Sequence, residues 1–234
     1  MKNIYQTGEY LEKTVSWHME DSPWKATQID KILATNDINP TNIVEIGCGA
    51  GGILESLTKI PRYEETTFTG YDISPQAIDL CGTLENQKIS FINDDLLCDT
   101  NTEHYDLLLA IDVFEHVPDY MGFLTNCQSK ADLKVYHIPL EIYVYSALRD
   151  SFLNSRNSVG HLHYFSTSTA LATLKDTGHE IIDYFYTNGA LDQFRSNPTP
   201  RVAFTNIPRW LVSKISTSAS AKLFGGFSLL VLAK

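Results

Sequence analysis

The feature that most constrains this chain is a short apolar strand that runs directly into a turn crowded with glycine. Residues 42–46 read Asn-Ile-Val-Glu-Ile, and Gly47, Gly49 and Gly51 follow. Glycine lets the backbone turn tightly and come close to a ligand, and residues 53–59 then have the pattern of a helix. Because the N-terminus of a helix favours a carboxylate or a phosphate, this stretch predicts a site for a nucleotide-like cofactor.

The composition indicates one globular domain. The chain has 234 residues, of which 43% are hydrophobic and 20% are charged, enough to bury a single core. The net charge of -10 argues against a broad phosphate-binding surface, so we expect no nucleic-acid partner. The four cysteines form no Cys-x-x-Cys pair, which predicts reduced thiols in the cytoplasm and neither disulfides nor a zinc site. The apolar run at residues 223–233 is shorter than the about 20 residues of a membrane span, so no segment is expected to cross a bilayer, and on this ground we expect no membrane partner.

Residues 1–40 precede the first strand and are predicted to form a helical lid over the site. One helix is expected at residues 10–18, and a second at residues 23–33, where apolar residues recur at three- and four-residue spacings. The aromatic and titratable residues of segment 17–25 either pack on the core or touch the cofactor and the substrate. Residues 41–234 then form the cofactor-binding domain, with an insert around residues 188–222.

Asp72 follows the second predicted strand, residues 67–71, about 20 residues beyond the glycines. A carboxylate at this place accepts hydrogen bonds from the ribose hydroxyls of a nucleotide. Asp72 could instead cap the next helix, a role that Ser74 could also fill. We expect Asp72 to bind ribose.

Two further acids follow the third predicted strand, residues 90–93. Asp95 is expected to accept a hydrogen bond from an adenine amino group, with Asp94 as its neighbour and Leu96 against the ring. Either aspartate could instead be a solvated loop residue.

The fourth predicted strand, residues 105–111, is a continuous apolar run of the kind that is buried on both faces of a parallel sheet. It leads into the turn at residues 112–119, which faces the same crevice as the glycines. Later strands are predicted at residues 133–138, 179–186 and 227–233, and helices at residues 75–84, 142–153, 167–176 and 209–216. This order predicts an α/β fold with a doubly wound, Rossmann-like, seven-stranded and mostly parallel sheet and an antiparallel strand at one edge.

Two classes of cofactor fit the glycine spacing. The pattern Gly47-x-Gly49-x-x-Gly52, with Asp72 behind it, also satisfies a dinucleotide fingerprint. Glu45, however, stands where a dinucleotide-binding strand usually has an apolar residue, and its carboxylate suits a cofactor with an ammonium group. The chain also lacks room for the second substrate domain that many dehydrogenases carry. These features favour a cofactor with an amino-acid tail over NAD.

The segments VEIGCGAGG, GYDIS, INDDLL and AIDVFEHVPD, in this order, resemble those of class I S-adenosylmethionine-dependent methyltransferases. They look especially like the small-molecule branch that includes the ubiquinone-pathway O-methyltransferases. The later segment GHLHYFSTSTALATLKDTGHEIIDY is similar to the His-x-His-aromatic segment and helix of many members. The resemblance spans about residues 41–186, and Asp94 departs from it by replacing the usual glycine. It implies S-adenosylmethionine as the cofactor, a small-molecule methyl acceptor, and no metal, because the ligand pattern of metal-dependent catechol enzymes is not apparent.

The resemblance also implies how the cofactor is held. Glu45 and the backbone of the glycine turn would bind the methionine end, while the carbonyls of Ala110 and Ile111 would lie near its ammonium group. Ile73 and Leu96 would contact the faces of the adenine. The full set of implied cofactor contacts is Glu45, Gly47, Cys48, Gly49, Gly51, Asp72, Ile73, Asp94, Asp95, Leu96, Ala110 and Ile111.

Methyl transfer from a sulfonium is an in-line displacement, so the enzyme mainly aligns the acceptor and excludes water. A base is needed only for a protonated acceptor, and His116, His161 and His163 are the candidates. His116 could also be a structural turn residue, and in an extended segment His161 and His163 would point to opposite sides.

The acceptor and the assembly are less constrained by the sequence. Glu141, Arg149 and Tyr164 are further candidates for an acceptor pocket. The acceptor atom is expected to be O, N or C of a small metabolite, a sugar or a natural product. A protein- or peptide-directed methyltransferase and a non-catalytic cofactor-binding protein remain alternatives. Residues 207–215 either pack on the sheet or form a homodimer contact or a substrate cap.

Overall fold

The computed structural model describes residues 19–149, 151–189 and 200–234. The helix predicted at residues 10–18 and part of the predicted insert lie outside the described residues. The second predicted helix is present and runs over Ser22–Thr35. No helix within the described ranges is both long enough and apolar enough to cross a membrane.

Seven strands form one sheet in the order β3-β2-β1-β4-β5-β7-β6. The strands are β1 Asn42–Ile46, β2 Thr67–Tyr71, β3 Ile89–Ile92, β4 Tyr105–Ile111, β5 Ala131–Pro139, β6 Ile181–Thr187 and β7 Ser228–Ala233. Strands β1 to β5 pair in parallel, whereas β7 is antiparallel to both β5 and β6. The predicted fold class is confirmed, with the antiparallel strand one position in from the edge strand β6.

Helices cover both faces of this sheet. They are α1 Ser22–Thr35, α2 Gly52–Thr58, α3 Pro75–Cys81, α4 Tyr120–Cys127, α5 Val144–Leu148, α6 Ser151–Ser158, α7 Thr167–Asp176, α8 Pro200–Ile215 and α9 Thr217–Phe224. Short 3₁₀ turns lie at Met19–Asp21, Pro61–Tyr63 and Phe114–His116. The sheet therefore has the helix-covered architecture that the order of elements predicted.

Four features of the helices differ from the sequence prediction. The single helix expected at residues 142–153 is two helices, α5 and α6, because the backbone leaves the helical conformation at Arg149. The helix expected at residues 209–216 is the end of the longer α8, which contains Pro208. Helices α4 and α9 were not predicted, although each begins after a side chain that caps it: Asp119 accepts from the Gly122 amide at 2.9 Å, and Ser216 accepts from the Ala219 amide at 3.2 Å.

Strand β4 shows why a continuous apolar run suits the centre of this fold. Leu107 and Leu109 belong to the core cluster on the face covered by α1, α2 and α3. Leu108 and Ala110 belong to the opposite cluster, which is covered by α4, α7 and α9. All four side chains are fully buried, so the strand is held on both faces and fixes the position of the turn that follows it.

Candidate active site

A large cavity lies at the carboxyl ends of the central parallel strands. Its volume is about 1060 Å³, and residues of α1, the glycine turn, the turn after β4 and the segment before α7 form its walls. Parallel α/β sheets bind their ligands at this edge. Since a single small-molecule site usually measures about 300–1,000 Å³, the cavity has room for a cofactor and a small acceptor together.

The glycine turn forms one wall of the cavity and is fixed to strand β2. Gly47, Gly49 and Gly51 have φ angles of +69°, +55° and +77°, which favour glycine. The amides of Gly47 and Cys48 both donate to the carbonyl of Tyr71, at 2.8 and 3.1 Å. A Cβ atom on Gly47 would lie only 2.9 Å from the side chain of Val113, so this residue has steric reasons to be glycine as well.

Asp72 is held in place by the backbone on both sides. Its two carboxylate oxygens accept from the amides of Gly49, at 2.9 Å, and Ser74, at 2.8 Å. Burial raises the pKa of Asp72, while these two hydrogen bonds oppose that rise. Ser74 is the residue that caps α3. Asp72 is thus held at the cavity wall with Ile73 beside it, and its role in ribose binding stays a prediction.

Glu45 brings a buried acid to the same wall. Its side chain is almost fully buried, and its Oε2 has no hydrogen-bond partner among the described residues. Burial raises the pKa of Glu45 well above its usual range, and the nearby Lys25 ammonium opposes this. A buried carboxyl group without a partner is costly, so this position fits a ligand that supplies hydrogen bonds and positive charge, such as an ammonium group.

A second, partly buried network crosses the cavity floor and was not predicted from the sequence. Lys25 of α1 contacts Asp112 at 2.8 Å, Asp112 contacts His137 Nδ1 at 2.7 Å, and His137 Nε2 lies 2.8 Å from the Thr187 hydroxyl. Burial alone would raise the pKa of Asp112, but His137 and Lys25 hold it well below its usual range. Asp112 also has a φ of +56°, which is uncommon outside glycine. The network therefore ties α1 to strands β5 and β6 and to the turn after β4.

A third group of titratable side chains lies where the turn after β4 meets the segment before α7. Glu115 is fully buried, and neither carboxylate oxygen has a hydrogen-bond partner in the described part of the chain. Its Oε1 lies 4.0 Å from Nε2 of His116, whose ring centroid is 4.7 Å from that of His161. His161 Nδ1 contacts Glu141 Oε2 at 2.6 Å, and Glu141 Oε1 accepts from Ser155 at 2.6 Å.

The protonation of this group follows from its burial. Burial, then the charge of Asp112, raises the pKa of Glu115 well above its usual range. Burial and the neighbouring His161 lower the pKa of His116 to about 4. At neutral pH, His116 is therefore a neutral imidazole, the form that binds metals and accepts protons.

Glu115, His116 and His161 could hold a divalent metal ion. One ligand atom from each residue lies within 4.8 Å of the other two, and Glu141 orients His161 through Nδ1, as carboxylates commonly do for metal-binding histidines. The unpartnered Glu115 carboxyl group fits such an ion, because a cation would compensate a buried charge. The sequence analysis expected no metal, and no local spacing could have indicated one, because His161 is 45 positions from His116.

Backbone hydrogen bonds explain how these distant residues meet. The amides of Leu162 and His163 donate to the carbonyl of Glu115, at 2.8 and 3.1 Å. This docks the extended segment before α7 onto the turn after β4. His161 then faces the cavity, whereas the ring of His163 lies 4.4 Å from that of Tyr120 and its Nε2 contacts the Val117 carbonyl at 3.0 Å.

The cavity brings together nine of the fifteen residues that were named from the sequence as cofactor contacts or candidate bases. They are Glu45, Gly47, Cys48, Gly49, Asp72, Ile73, Ile111, His116 and His161. The others do not line it. They are Gly51, Asp94, Asp95, Leu96, Ala110 and His163.

The residues outside the cavity wall have clear local environments. Asp95 accepts from the Leu97 amide at 2.9 Å, and Asp94 accepts from the Asp95 amide at 2.8 Å, both in an exposed loop. Leu96 and Ala110 are fully buried in the core. The adenine contacts named for this loop stay predictions.

The acceptor-pocket candidates lie in three different settings. Glu141 supports His161, as described above. Tyr164 donates to the carbonyls of Phe152 and His161, at 2.7 and 3.1 Å. Arg149 is exposed and stacks over the ring of Tyr145. Glu141 and Tyr164 thus both contact His161 of the cavity wall through their own side chains, Glu141 at Nδ1 and Tyr164 at the carbonyl.

Comparison with known proteins gives both a family model and curated relatives. A family model described as a methyltransferase domain matches residues 24–184. A ubiquinone biosynthesis O-methyltransferase of Rickettsia bellii is 29% identical over 102 residues, which cover 42% of this chain and 41% of that protein. The protein of the same name from Coxiella burnetii is 28% identical over 90 residues, or 37% of each chain. These matches span about two fifths of the length of the relatives.

Solved structures resemble this chain over more of its length. N-methyltransferase NodS from Bradyrhizobium japonicum, in complex with S-adenosyl-L-homocysteine, has a TM-score of 0.61 and 18% identity, and the match covers 99% of this chain and 98% of that one. Magnesium protoporphyrin IX methyltransferase from Synechocystis has a TM-score of 0.59 and 14% identity, with 90% and 82% covered. At these identities the likeness shows a shared fold.

Proposed function

We propose that this chain, which belongs to the methyltransferase domain family, transfers the methyl group of S-adenosylmethionine to a small-molecule acceptor. The observation that carries this proposal is a single cavity with two chemically different walls. Glu45, Asp72 and the glycine turn form one wall, and the cluster of Glu115, His116 and His161 belongs to the other. A cofactor on the first wall would present its methyl group toward an acceptor at the second.

The first wall suits the parts of S-adenosylmethionine in order. The unpartnered Glu45 oxygen would accept from the ammonium of the methionine end. Asp72, already oriented by two backbone amides, would accept from the ribose hydroxyls. Asp94, Asp95 and Leu96 remain proposed contacts for the adenine, and Ile73 lies on the cavity wall beside Asp72.

The cofactor supplies a methyl group that is already activated by its sulfonium. The chain therefore has to orient the acceptor, exclude water and accept the proton that the acceptor loses. Helix α1 contributes Trp24 and Lys25 to the cavity wall, which supports the proposed role of this region as a lid. The lid role of the whole segment 1–40 is part of the same proposal.

The second wall favours oxygen as the methylated atom. A divalent cation bound by Glu115, His116 and His161 would lower the pKa of an acceptor hydroxyl and fix its position. Without a cation, the neutral His116 imidazole is the group able to accept the proton. A hydroxyl gains most from such surroundings, because an amine can attack once it is neutral. A peptide-directed reaction is less well supported, since the acceptor would have to enter a cavity walled by α1.

Calorimetric titration tests the cofactor assignment. Glu45→Gln should weaken S-adenosylmethionine binding by about 10- to 100-fold, because a hydrogen bond to a charged group contributes about 1.5–3 kcal/mol. Glu55→Gln, which removes a partly exposed acid of α2 that pairs with Lys59, is the matched control and should bind as the unmodified chain does.

Two results would contradict the proposal. Binding of NAD without binding of S-adenosylmethionine would indicate a dinucleotide enzyme, and unchanged affinity in Glu45→Gln would remove the role of this acid. The acceptor class is tested separately by following transfer of a labelled methyl group to phenols, sugars, amines and peptides. Transfer to peptides alone would favour the peptide-directed alternative.

A further inference from the structure

Helices α5, α6, α8 and α9 carry a charge opposite to that of the rest of the chain. Residues 142–158 and 200–224 together contain six basic residues and one acidic residue, so their net charge is +5. The remaining residues have a net charge of -15. Within the described part, α5 contacts both α6 and α9, and α9 contacts α8, so the four helices form one continuous layer. We call it the basic helical face.

Helix α8 presents an apolar stripe to solvent on this face. Ile207, Leu211 and Ile215 follow one another at four-residue spacing and are 48%, 53% and 89% exposed. Trp210, which is 40% exposed, extends the stripe. Helices of globular proteins normally turn such a stripe toward the core. The orientation of α8 therefore leaves an apolar surface exposed in the described part of the chain.

The neighbouring helices continue the exposed apolar surface. Val144, Tyr145 and Leu148 of α5 are 55%, 49% and 76% exposed, and Leu153 of α6 is 56% exposed. On α9, Leu223 is 44% exposed. Clustering of this kind differs from the scattered apolar residues that are normal on protein surfaces.

Basic side chains lie among these apolar residues. The Arg149 guanidinium lies 4.7 Å from the ring centroid of Tyr145, and Lys214 lies 5.8 Å from that of Trp210. Lysine and arginine can lay their aliphatic stems along an apolar surface while their charged ends reach outward. Amphipathic helices that rest in a bilayer interface combine Trp, Phe or Leu with Lys and Arg in this manner.

The sequence analysis expected no membrane partner because no segment is long enough to span a bilayer, but docking on a surface needs no span. We propose that the basic helical face docks on a bilayer that contains anionic lipids, with the apolar stripe of α8 in the headgroup region. Charge complementarity favours an anionic bilayer as the partner of this face. A second copy docked through the same face would bring the same positive charges against each other, and a nucleic acid would leave the apolar stripe without a partner. The proposal concerns attachment to a membrane surface and does not depend on the methyl-transfer reaction.

Vesicle sedimentation of the full chain tests this inference. The chain should sediment with vesicles in which phosphatidylglycerol replaces part of the phosphatidylcholine, and it should stay in solution with pure phosphatidylcholine. Each basic residue near an anionic surface contributes about 1 kcal/mol, so Lys214→Gln with Lys222→Gln should weaken partitioning by about 25-fold. High salt should release the bound chain. Leu211→Ser with Ile215→Ser should weaken binding at every salt concentration.

The controls use similar residues away from the basic helical face. Lys59→Gln removes an exposed lysine at the end of α2, and Leu80→Ser removes a 43% exposed leucine on α3. Each of these variants should bind vesicles as the unmodified chain does. Circular dichroism of every variant checks that the fold is retained. Any of three results would overturn the proposal. They are equal binding to neutral and anionic vesicles, no binding to either, and unchanged binding by both double variants. A shift from dimer to monomer in the double variants, without a change in vesicle binding, would assign the face to a second copy instead.

Discussion

The ion pair between Lys25 and Asp112 should be one of the most sensitive contacts in this fold. The Lys25 and Asp112 side chains are only 18% and 27% exposed, and the pair joins α1 to the turn after β4. Replacement of Lys25 by methionine keeps most of the aliphatic stem but leaves Asp112 with His137 alone. Loss of one partner from a fully buried pair costs about 3–5 kcal/mol. Because this pair is partly exposed and Asp112 keeps its His137 contact, we expect a smaller loss of about 2–3 kcal/mol. For a domain of this size, that is a fall in Tm of about 5–10 °C.

The pH dependence of this loss follows from the two pKa values. The contacts lower the pKa of Asp112, so its contribution to stability is present above the unfolded value of about 3.9 and is lost as the pH falls through the lower folded value. Although burial opposes the shift, Asp112 raises the pKa of Lys25, so the lysine contribution is present at neutral pH and is lost only in strong alkali. The difference between Lys25→Met and the unmodified chain should be constant near neutral pH and narrow in strong acid.

Urea unfolding followed by circular dichroism measures this difference. Lys59→Met is the matched control, because Lys59 forms an exposed pair with Glu55 in one turn of helix and should lose at most about 0.5 kcal/mol. A double-mutant cycle with Asp112→Asn should give a coupling of about 1–3 kcal/mol. The reasoning is refuted if Lys25→Met loses no more stability than Lys59→Met.

Two further predictions concern the metal ligands and the glycine turn. His161→Ala should abolish Mn²⁺ binding measured by calorimetry on the chelator-treated chain, and Glu141→Gln should weaken it by about 10- to 100-fold, whereas Glu55→Gln should not change it. Equal Mn²⁺ affinity in all variants would rule out this site. Gly47→Ala should lower the free energy of unfolding by about 1–3 kcal/mol, because φ is +69° and Val113 lies 2.9 Å from the new Cβ. Thermal unfolding measures this, and an unchanged Tm would show that the turn relaxes freely.

The parts of the fold that the sequence predicted well are encoded locally. The period of apolar residues located all seven strands, and the glycines located the turn between β1 and α2. Asp72 could be placed because it follows a strand of the same parallel sheet, whose carboxyl ends share one edge. The break at Arg149 and the start of α9 depend on single backbone and capping positions, which periodicity does not report.

The parts of the candidate site that the sequence did not predict depend on contacts between distant segments. Nothing near Glu115 in the chain shows that its side chain is buried beside His161, because that contact needs the segment before α7 to dock on the Glu115 carbonyl. Lys25 meets Asp112 only after α1 has packed on the sheet. His137 lies in a strand whose other residues are mostly apolar. A histidine in a predicted buried strand could have indicated that this position has a polar partner.

The position of strand β7 sets an order for folding. Among the described strands, β6 pairs with β7 alone, and the Thr187 hydroxyl reaches the Ser228 carbonyl 41 positions further along the chain. Until β7 arrives, both β5 and β6 present unpaired edges that invite association with other chains. Closing this pair requires long-range contacts, which slow folding. Substitutions that weaken β7 should therefore increase aggregation during refolding, even where they lower the stability of the folded chain only slightly.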